Sequence, residues 1–445
     1  MLTTRIFKTI AHRHFRKISV FLTESQYCPP EKVRAFQFKK IKNLLSHAYI
    51  YVPYYRRMFI NLGITPDDIR NWDDFSRLPV LTKDIIRNNR NDLIANTAKE
   101  KDLISNATGG STGEPLHFFQ DNNFIRWADA ARVRGWYHIA GCNSWDTSAV
   151  IWGAMHEIKE DFSLQERLRD YLVHGDIMLN AFNLSAERKQ NFLMYCRLLK
   201  PRLLRGYTTA LKDMACFLEE SGQKFPSSVK GIILCAETVN QHTQEYIEKI
   251  FNAPSFNTYG GRELSLIGME CIEHKGLHEV SENNFVEYLS IDLAGYKNAG
   301  ELVITNLNNY AMPFIRYKIG DIGVPGEEGV CGCGRGLPRI EKVIGRTTEV
   351  FSFADGTRVA GEMFIHLMKD FRLSEYQFVQ SSPHDIILRY KKGDMVDESL
   401  KSAIRQTYSG YLPDGVRMTF QGVDRFEKTL TGKFRFVLKD FSPWQ

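Results

Sequence analysis

The residues most able to do chemistry lie in two clusters. The first is the loop Thr108-Gly109-Gly110-Ser111-Thr112-Gly113-Glu114-Pro115. Glycines let a backbone approach an anion closely, and hydroxyls with freed N–H groups can wrap its oxygens, so the run reads as a phosphate cradle. It is no Walker loop, because Glu114-Pro115 follows Gly113 where Gly-Lys-Ser/Thr would be required. Taken alone it reads equally well as a surface turn. The second cluster is Cys331-Gly332-Cys333-Gly334-Arg335, a tight turn presenting two thiols, with Cys271, His274 and His278 some sixty residues earlier. Three cysteines and one histidine make a closed, tetrahedral structural zinc set with no open position for water. Cys-x-x-His spacing favours His274 as the fourth ligand.

These residues need elements to hold them. Residues 31–60 are helical in period, with Phe36, Ile41, Leu44, Leu45 and Ala48 recurring at three and four, and Tyr51-Val52-Pro53-Tyr54-Tyr55 interrupts the pattern. Leu78 to Ile85 reads as a short extended piece leading into a capped helix, and 123–140 as a helix after the glycine loop. Strands are expected at 148–152 and 231–236, among helices at 185–199, 209–221 and 241–251. Strands alternating with helices predict a large α/β domain, and such sheets bind ligands beyond strand carboxyl ends, here at Glu237-Thr238-Val239. The region 255–345 is richer in strands, with 285–288, 300–305 and 314–317 the clearest.

After Gly345-Arg346 the texture changes. A hairpin with an Asp355-Gly356 turn is followed by a helix at 361–371, strands at 376–381 and 385–391, a helix at 396–408 and a strand at 416–423. This predicts a small α+β C-terminal domain over 346–445, after an N-terminal domain over 1–345.

The bulk composition narrows the function. A hydrophobic content of 43% supports a sizeable core, and 445 residues exceed what one core usually organises. A net charge of +6 from 58 basic and 52 acidic residues is too mild to argue for a nucleic-acid partner. Eight scattered cysteines do not form an extracellular disulfide framework and point to a reducing, cytoplasmic compartment. The basic N-terminus, Met1 to Leu22, reads as a helix packing on the body in preference to one lying on a membrane surface. The oligomeric state is open, a homodimer included.

Five stretches, in order, resemble the adenylate-forming ligase superfamily and most closely its phenylacetate–CoA ligase-like branch. They are the glycine loop, Thr258-Tyr259-Gly260-Gly261-Arg262-Glu263, Tyr317-Lys318-Ile319-Gly320-Asp321, Ile344-Gly345-Arg346-Thr347-Thr348-Glu349, and Leu430-Thr431-Gly432-Lys433-Phe434-Arg435. Tyr51 to Tyr55 and Leu78-Pro79-Val80-Leu81-Thr82-Lys83 extend the likeness to a subgroup called CapK-like, found in polysaccharide clusters. The resemblance spans nearly the whole chain.

It implies the adenylate-forming fold and activation of a carboxylic acid by ATP and Mg2+ to an acyl adenylate, followed by transfer to coenzyme A. Other acceptors are an amine or hydroxyl on a sugar, and a binding protein that kept the fold without catalysis is the rival. By the resemblance, Thr108, Gly109, Gly110, Ser111, Thr112 and Gly113 bind phosphates, Glu263 engages Mg2+, and Tyr259 and Gly260 lie at the adenine with Ala236 and Glu237. Asp321 takes the ribose hydroxyls, Arg346 is the hinge arginine and Lys433 is the catalytic lysine. Among the zinc ligands it favours His278 over His274, beside Cys271, Cys331 and Cys333. The family often has aspartate where this chain has Glu349 or Thr348.

Overall fold

The computed structural model describes residues 12–108, 115–153, 171–237, 239, 241–368, 371, 373–427 and 436–440. Among them an 11-stranded sheet organises the larger part of the chain. Five parallel strands come first, in the order 176–180, 148–152, 203–207, 231–235 and 255–261. The sheet then continues antiparallel through 265–270, 277–279, 339–346, 317–325, 300–306 and 284–290.

The parallel half is buried on both faces, which is why its strands read as unbroken apolar runs. Every residue of Gly231–Cys235 is buried. One face carries Ile151, Leu204, Ile232 and Leu234, covered by Leu193, Leu211, Met214 and Ile247 from helices Ala186–Leu199, Thr208–Glu220 and Gln241–Phe251. Ile233, Cys235 and Phe256 face the other way, onto Tyr137 and Ile139. Tyr137 belongs to a π-helical turn, Val133–His138, that follows the α-helix Asn122–Arg132. The helix expected over 123–140 therefore changes its winding at Val133.

The helical pattern near the N-terminus resolves into Pro30–Tyr51 and Pro53–Leu62. Pro53 disfavours helical backbone at the residue before it, and Val52 is extended with φ −111° and ψ 109°. Ile41, Leu44, Leu45 and Ala48 are buried in a core shared with the antiparallel strands. The helix Arg16–Ser25 lies on the body through Phe15 and Leu22, against Ala130, Ala131 and Val280. Residues 1–11 of the expected N-terminal helix lie outside the described residues. Among the described residues, no helix is long and apolar enough to cross a membrane.

One expected strand needs correction. The strand placed over 314–317 begins only at Tyr317 and runs to Pro325. Arg316 has φ +52°, outside strand geometry, and its N–H bonds the Thr305 hydroxyl.

Beyond Arg346, strands Val350–Ser352 and Arg358–Ala360 pair as the expected hairpin, with Gly356 at φ +91° in the turn. The helix expected over 361–371 spans Gly361–Leu367. A separate four-stranded sheet has the order 417–423, 385–391, 376–382 and 437–439. The last of these strands, parallel to 376–382, is three residues long and too short to carry a period-2 signal. Phe351, Phe364, Phe378 and Tyr408 form this region's own aromatic core. The large α/β assembly with a small α+β unit after it matches the predicted fold class.

Candidate active site

Three of the motifs converge on one carboxylate. Asp321 and Arg346 face each other across the antiparallel pair 317–325 and 339–346. Arg346 Nε lies 2.9 Å from Asp321 Oδ1, and the Tyr259 hydroxyl donates to Asp321 Oδ2 at 2.6 Å. Asp321 is buried, whereas the Arg346 side chain is 38% exposed, so the pair sits at the margin of the core. Burial opposes the Arg346 charge, but Asp321 first, then Tyr259 and Glu263, hold its pKa above the ordinary arginine value. Burial and then the Asp321 charge push the Tyr259 phenol well above the tyrosine range. Both groups therefore stay in the protonated forms that donate to the carboxylate.

Gly260 has a steric reason to be glycine. The register between 255–261 and 265–270 shifts between Tyr259 and Gly260, and a Cβ on Gly260 would overlap the Ser265 carbonyl oxygen. The bulge brings the chain round to Glu263, which is buried and accepts a hydrogen bond from the Tyr317 hydroxyl at 3.2 Å. Burial and then Glu263 raise the Tyr317 phenol, which remains a donor.

The glycine loop is the connection of a hairpin, Ile104–Ala107 with His117–Gln120. Gly109, Gly110, Ser111, Thr112 and Gly113 lie outside the described residues, as does Lys433. Thr108 closes the base of the loop: its N–H donates to Leu116 O at 3.0 Å, and its hydroxyl accepts from Leu116 N at 2.9 Å. Gln120, on the returning strand, donates to the Arg262 carbonyl at 2.8 Å. The returning strand of the hairpin is thus tied to the segment that carries Glu263. Gln120 carried no sequence signal, since its role depends on a contact 142 residues away.

Ala236 stands at the carboxyl end of strand Gly231–Cys235, exposed and at φ +64°. Leu234 pairs with Asn257, so Ala236 lies alongside the end of the strand that bears Tyr259. The Glu237 carboxylate accepts from Thr209 N at 2.7 Å and from its hydroxyl at 3.0 Å. It caps the helix Thr208–Glu220 and is not drawn into the cluster around Asp321. Lys83, by contrast, which opens its capped helix and ends the stretch that resembles the CapK-like subgroup, lies beside the cluster. Burial and then Arg346 lower its pKa, against the opposing pull of Glu263 and Asp321.

The second constellation also assembles. The ligand atoms of Cys271, His278, Cys331 and Cys333 all lie within 4.8 Å of one another. Cys271 Sγ is 3.9 Å from Cys331 Sγ, and Cys333 Sγ is 3.4 Å from His278 Nε2. A tetrahedron with bonds of about 2.3 Å has edges of about 3.8 Å, so the group fits a zinc ion. His278 Nδ1 faces the Leu337 carbonyl at 3.4 Å, which leaves Nε2 for the sulfurs, and burial lowers its pKa to about 4, keeping the imidazole neutral. His274 is excluded from this group. Its Nδ1 lies 3.2 Å from Glu270, and its ring stacks on Phe256.

No family model matches the chain. It is 24% identical over 341 residues to phenylacetate-coenzyme A ligase of Thermus thermophilus, covering 74% of each protein. It is also 24% identical over 400 residues to protein CapK of Staphylococcus aureus, covering 82% of this chain and 80% of CapK. Among solved structures it matches 2-hydroxyisobutyryl-CoA ligase in the postadenylation state with R3-HIB-AMP, at a TM-score of 0.71 and 17% identity, over 94% of this chain and 92% of that one. The same ligase has also been solved with 2-HIB-AMP and CoA.

Proposed function

We propose that this chain, a phenylacetate–CoA ligase-like protein with the adenylate-forming ligase fold, activates a carboxylic acid with ATP and passes the acyl group to coenzyme A. The observation that carries the reading is the convergence of Tyr259 and Arg346 on Asp321, with Glu263 on the same strand turn. A ribose offers two neighbouring hydroxyls, which a carboxylate can accept in bidentate fashion, and Asp321 is that carboxylate. Tyr259 presents an aromatic face to adenine. Glu263, with one oxygen held by Tyr317, keeps lone pairs for a hard cation, and Mg2+ would supply charge neutralisation at the phosphates there.

In the first step a carboxylate oxygen of the acid attacks the α-phosphorus. The bond from that phosphorus to the bridging oxygen breaks, and pyrophosphate leaves with the electron pair. Both reactants are anions, and Lys433 neutralises the charge that grows between them. In the second step the coenzyme A thiolate attacks the acyl carbon, the bond to the phosphate oxygen breaks, and AMP leaves. The two steps need different partners, so the reading divides the chain at Gly345-Arg346 into residues 1–345 and a C-terminal unit, 346–445, that carries Lys433 in and out.

The cysteine–histidine group would hold a structural zinc, since all four positions are filled by protein ligands. A second reading of the acceptor, a sugar amine or hydroxyl in surface polysaccharide assembly, rests on the resemblance of Tyr51 to Tyr55 and Leu78 to Lys83 to the CapK-like subgroup. ATP–pyrophosphate exchange across a panel of carboxylic acids tests the first step. Adding coenzyme A or an amino sugar to the loaded enzyme identifies the acceptor. Exchange with none of the acids would sink the ligase reading.

A further inference from the structure

Lys83 is placed with care by the chain around it. The Leu81 N–H donates to Arg316 O and its carbonyl accepts from Lys318 N, both at 2.9 Å, so Leu81 bridges in parallel to Tyr317 at the start of strand Tyr317–Pro325. Arg316 fastens the same segment by donating to the carbonyls of Ser76 and Leu78 while pairing with Glu287 at 3.0 Å. Thr82 then caps the helix Lys83–Asn88 by accepting from Ile85 N. The result sets Lys83 Nζ 3.9 Å from the position a Cβ on Gly320 would take, a position that Arg346 Nη1 and Thr347 Oγ1 also approach to 3.9 Å.

This ammonium is half-buried and has no hydrogen bond or ion pair among the described residues. The carboxylates near it are engaged elsewhere: Asp321 with Tyr259 and Arg346, and Glu263 with Tyr317. A half-buried cation beside a second cation is unfavourable unless an anion completes the site. The glycine loop lacks the lysine that a Walker loop supplies, and in the proposed function Lys433 belongs to the segment that leaves after adenylation. A polyphosphate bound in the large unit needs a cation that stays.

We infer that Lys83 is this resident cation and that it binds the phosphates of the nucleotide. The inference rests on the proposed function for the identity of the ligand as ATP. Lys83 is a compact point charge on a flexible stem, suited to phosphate oxygens that shift as pyrophosphate departs. It is delivered by the N-terminal segment, so helix packing far from the loop helps to build the phosphate site.

Titration calorimetry of the full chain with Mg-ATP and with adenosine tests this without knowing the acid. The readout is the ratio of the two affinities, compared among wild type, Lys83→Met, Lys83→Gln and Lys83→Arg. Lys83→Met and Lys83→Gln should weaken Mg-ATP ten- to hundredfold with adenosine held within twofold, and Lys83→Arg should retain most of the wild-type ratio. A general loss of fold would not collapse the ratio selectively. An unchanged ratio in both uncharged variants, or a wild type that binds ATP no more tightly than adenosine, would overturn the inference. Failure of pyrophosphate exchange together with a collapsed ratio would remove the ligase reaction and leave the phosphate site standing.

Discussion

Asp321 and Arg346 are joined across two antiparallel strands by a 2.9 Å ion pair, at the last residue of strand Arg339–Arg346. The carboxylate proposed to hold the ribose is therefore paired with the residue proposed as the hinge. In the proposed function, nucleotide occupancy and hinge position would act on the same contact.

Asp321→Asn should separate these roles. It keeps the shape but loses a charge-assisted acceptor, which is worth about 1.5–3 kcal/mol. Mg-ATP binding should weaken about ten- to hundredfold by calorimetry, at 1.4 kcal/mol per tenfold. Unchanged affinity would remove Asp321 from the nucleotide site.

Lys433→Ala should reduce acid-dependent pyrophosphate exchange by about 10²–10³, the usual loss when a charge-stabilising donor is removed. Thioester formation from a preformed acyl adenylate should persist, because that step does not need the lysine. Equal losses in both half-reactions would contradict a lysine that leaves the site.

Gly260→Ala tests a steric role. Its Cβ would overlap the Ser265 carbonyl, so the bulge must open, at a cost of about 1–3 kcal/mol. The melting temperature should fall by several degrees, with Mg-ATP affinity weakened through displacement of Tyr259 and Glu263.

Removal of the proposed zinc should act on stability before chemistry. Protein purified without added metal should carry about one zinc per chain by elemental analysis, and Cys331→Ser should lower both zinc content and melting temperature. The turn at 331–336 also holds Gln26 through Arg335 and Gly336, so the loss should loosen the N-terminal helices as well. Full thermal stability in metal-free protein would contradict a structural site.

Lys40 predicts a pH dependence of stability. Burial lowers its pKa to about 7, against the opposing charge of Glu282, while its ammonium lies over Trp127 and donates to the Glu282 carbonyl. Between about pH 7 and the unfolded-state value near 10.5 the unfolded chain binds the extra proton, so this group's contribution to stability rises with pH in that window. Below about pH 7 both states carry the proton and the contribution is flat. Denaturant titrations from pH 6 to 10 should show a rise in wild type that is smaller in Lys40→Met.

The sequence by itself determined the elements whose signals are local. Helices at 186–199, 208–220 and 241–251 follow from periodicity, the break at Val52 from Pro53, and the hairpin at 350–360 from Asp355-Gly356. It also supplied the motif residues Tyr259, Glu263, Asp321 and Arg346, through the resemblance of their ordered stretches to the adenylate-forming ligases. Only the tertiary structure decided which of them meet. It joined Tyr259 and Arg346 on Asp321, committed Glu237 to Thr209, chose His278 over His274, and brought Lys83 to Gly320 across more than two hundred residues. The physical reason is that such contacts depend on strand register, bulges and positive-φ turns such as Arg316. Pairing between distant segments sets these features, and no local pattern in either segment encodes the partner.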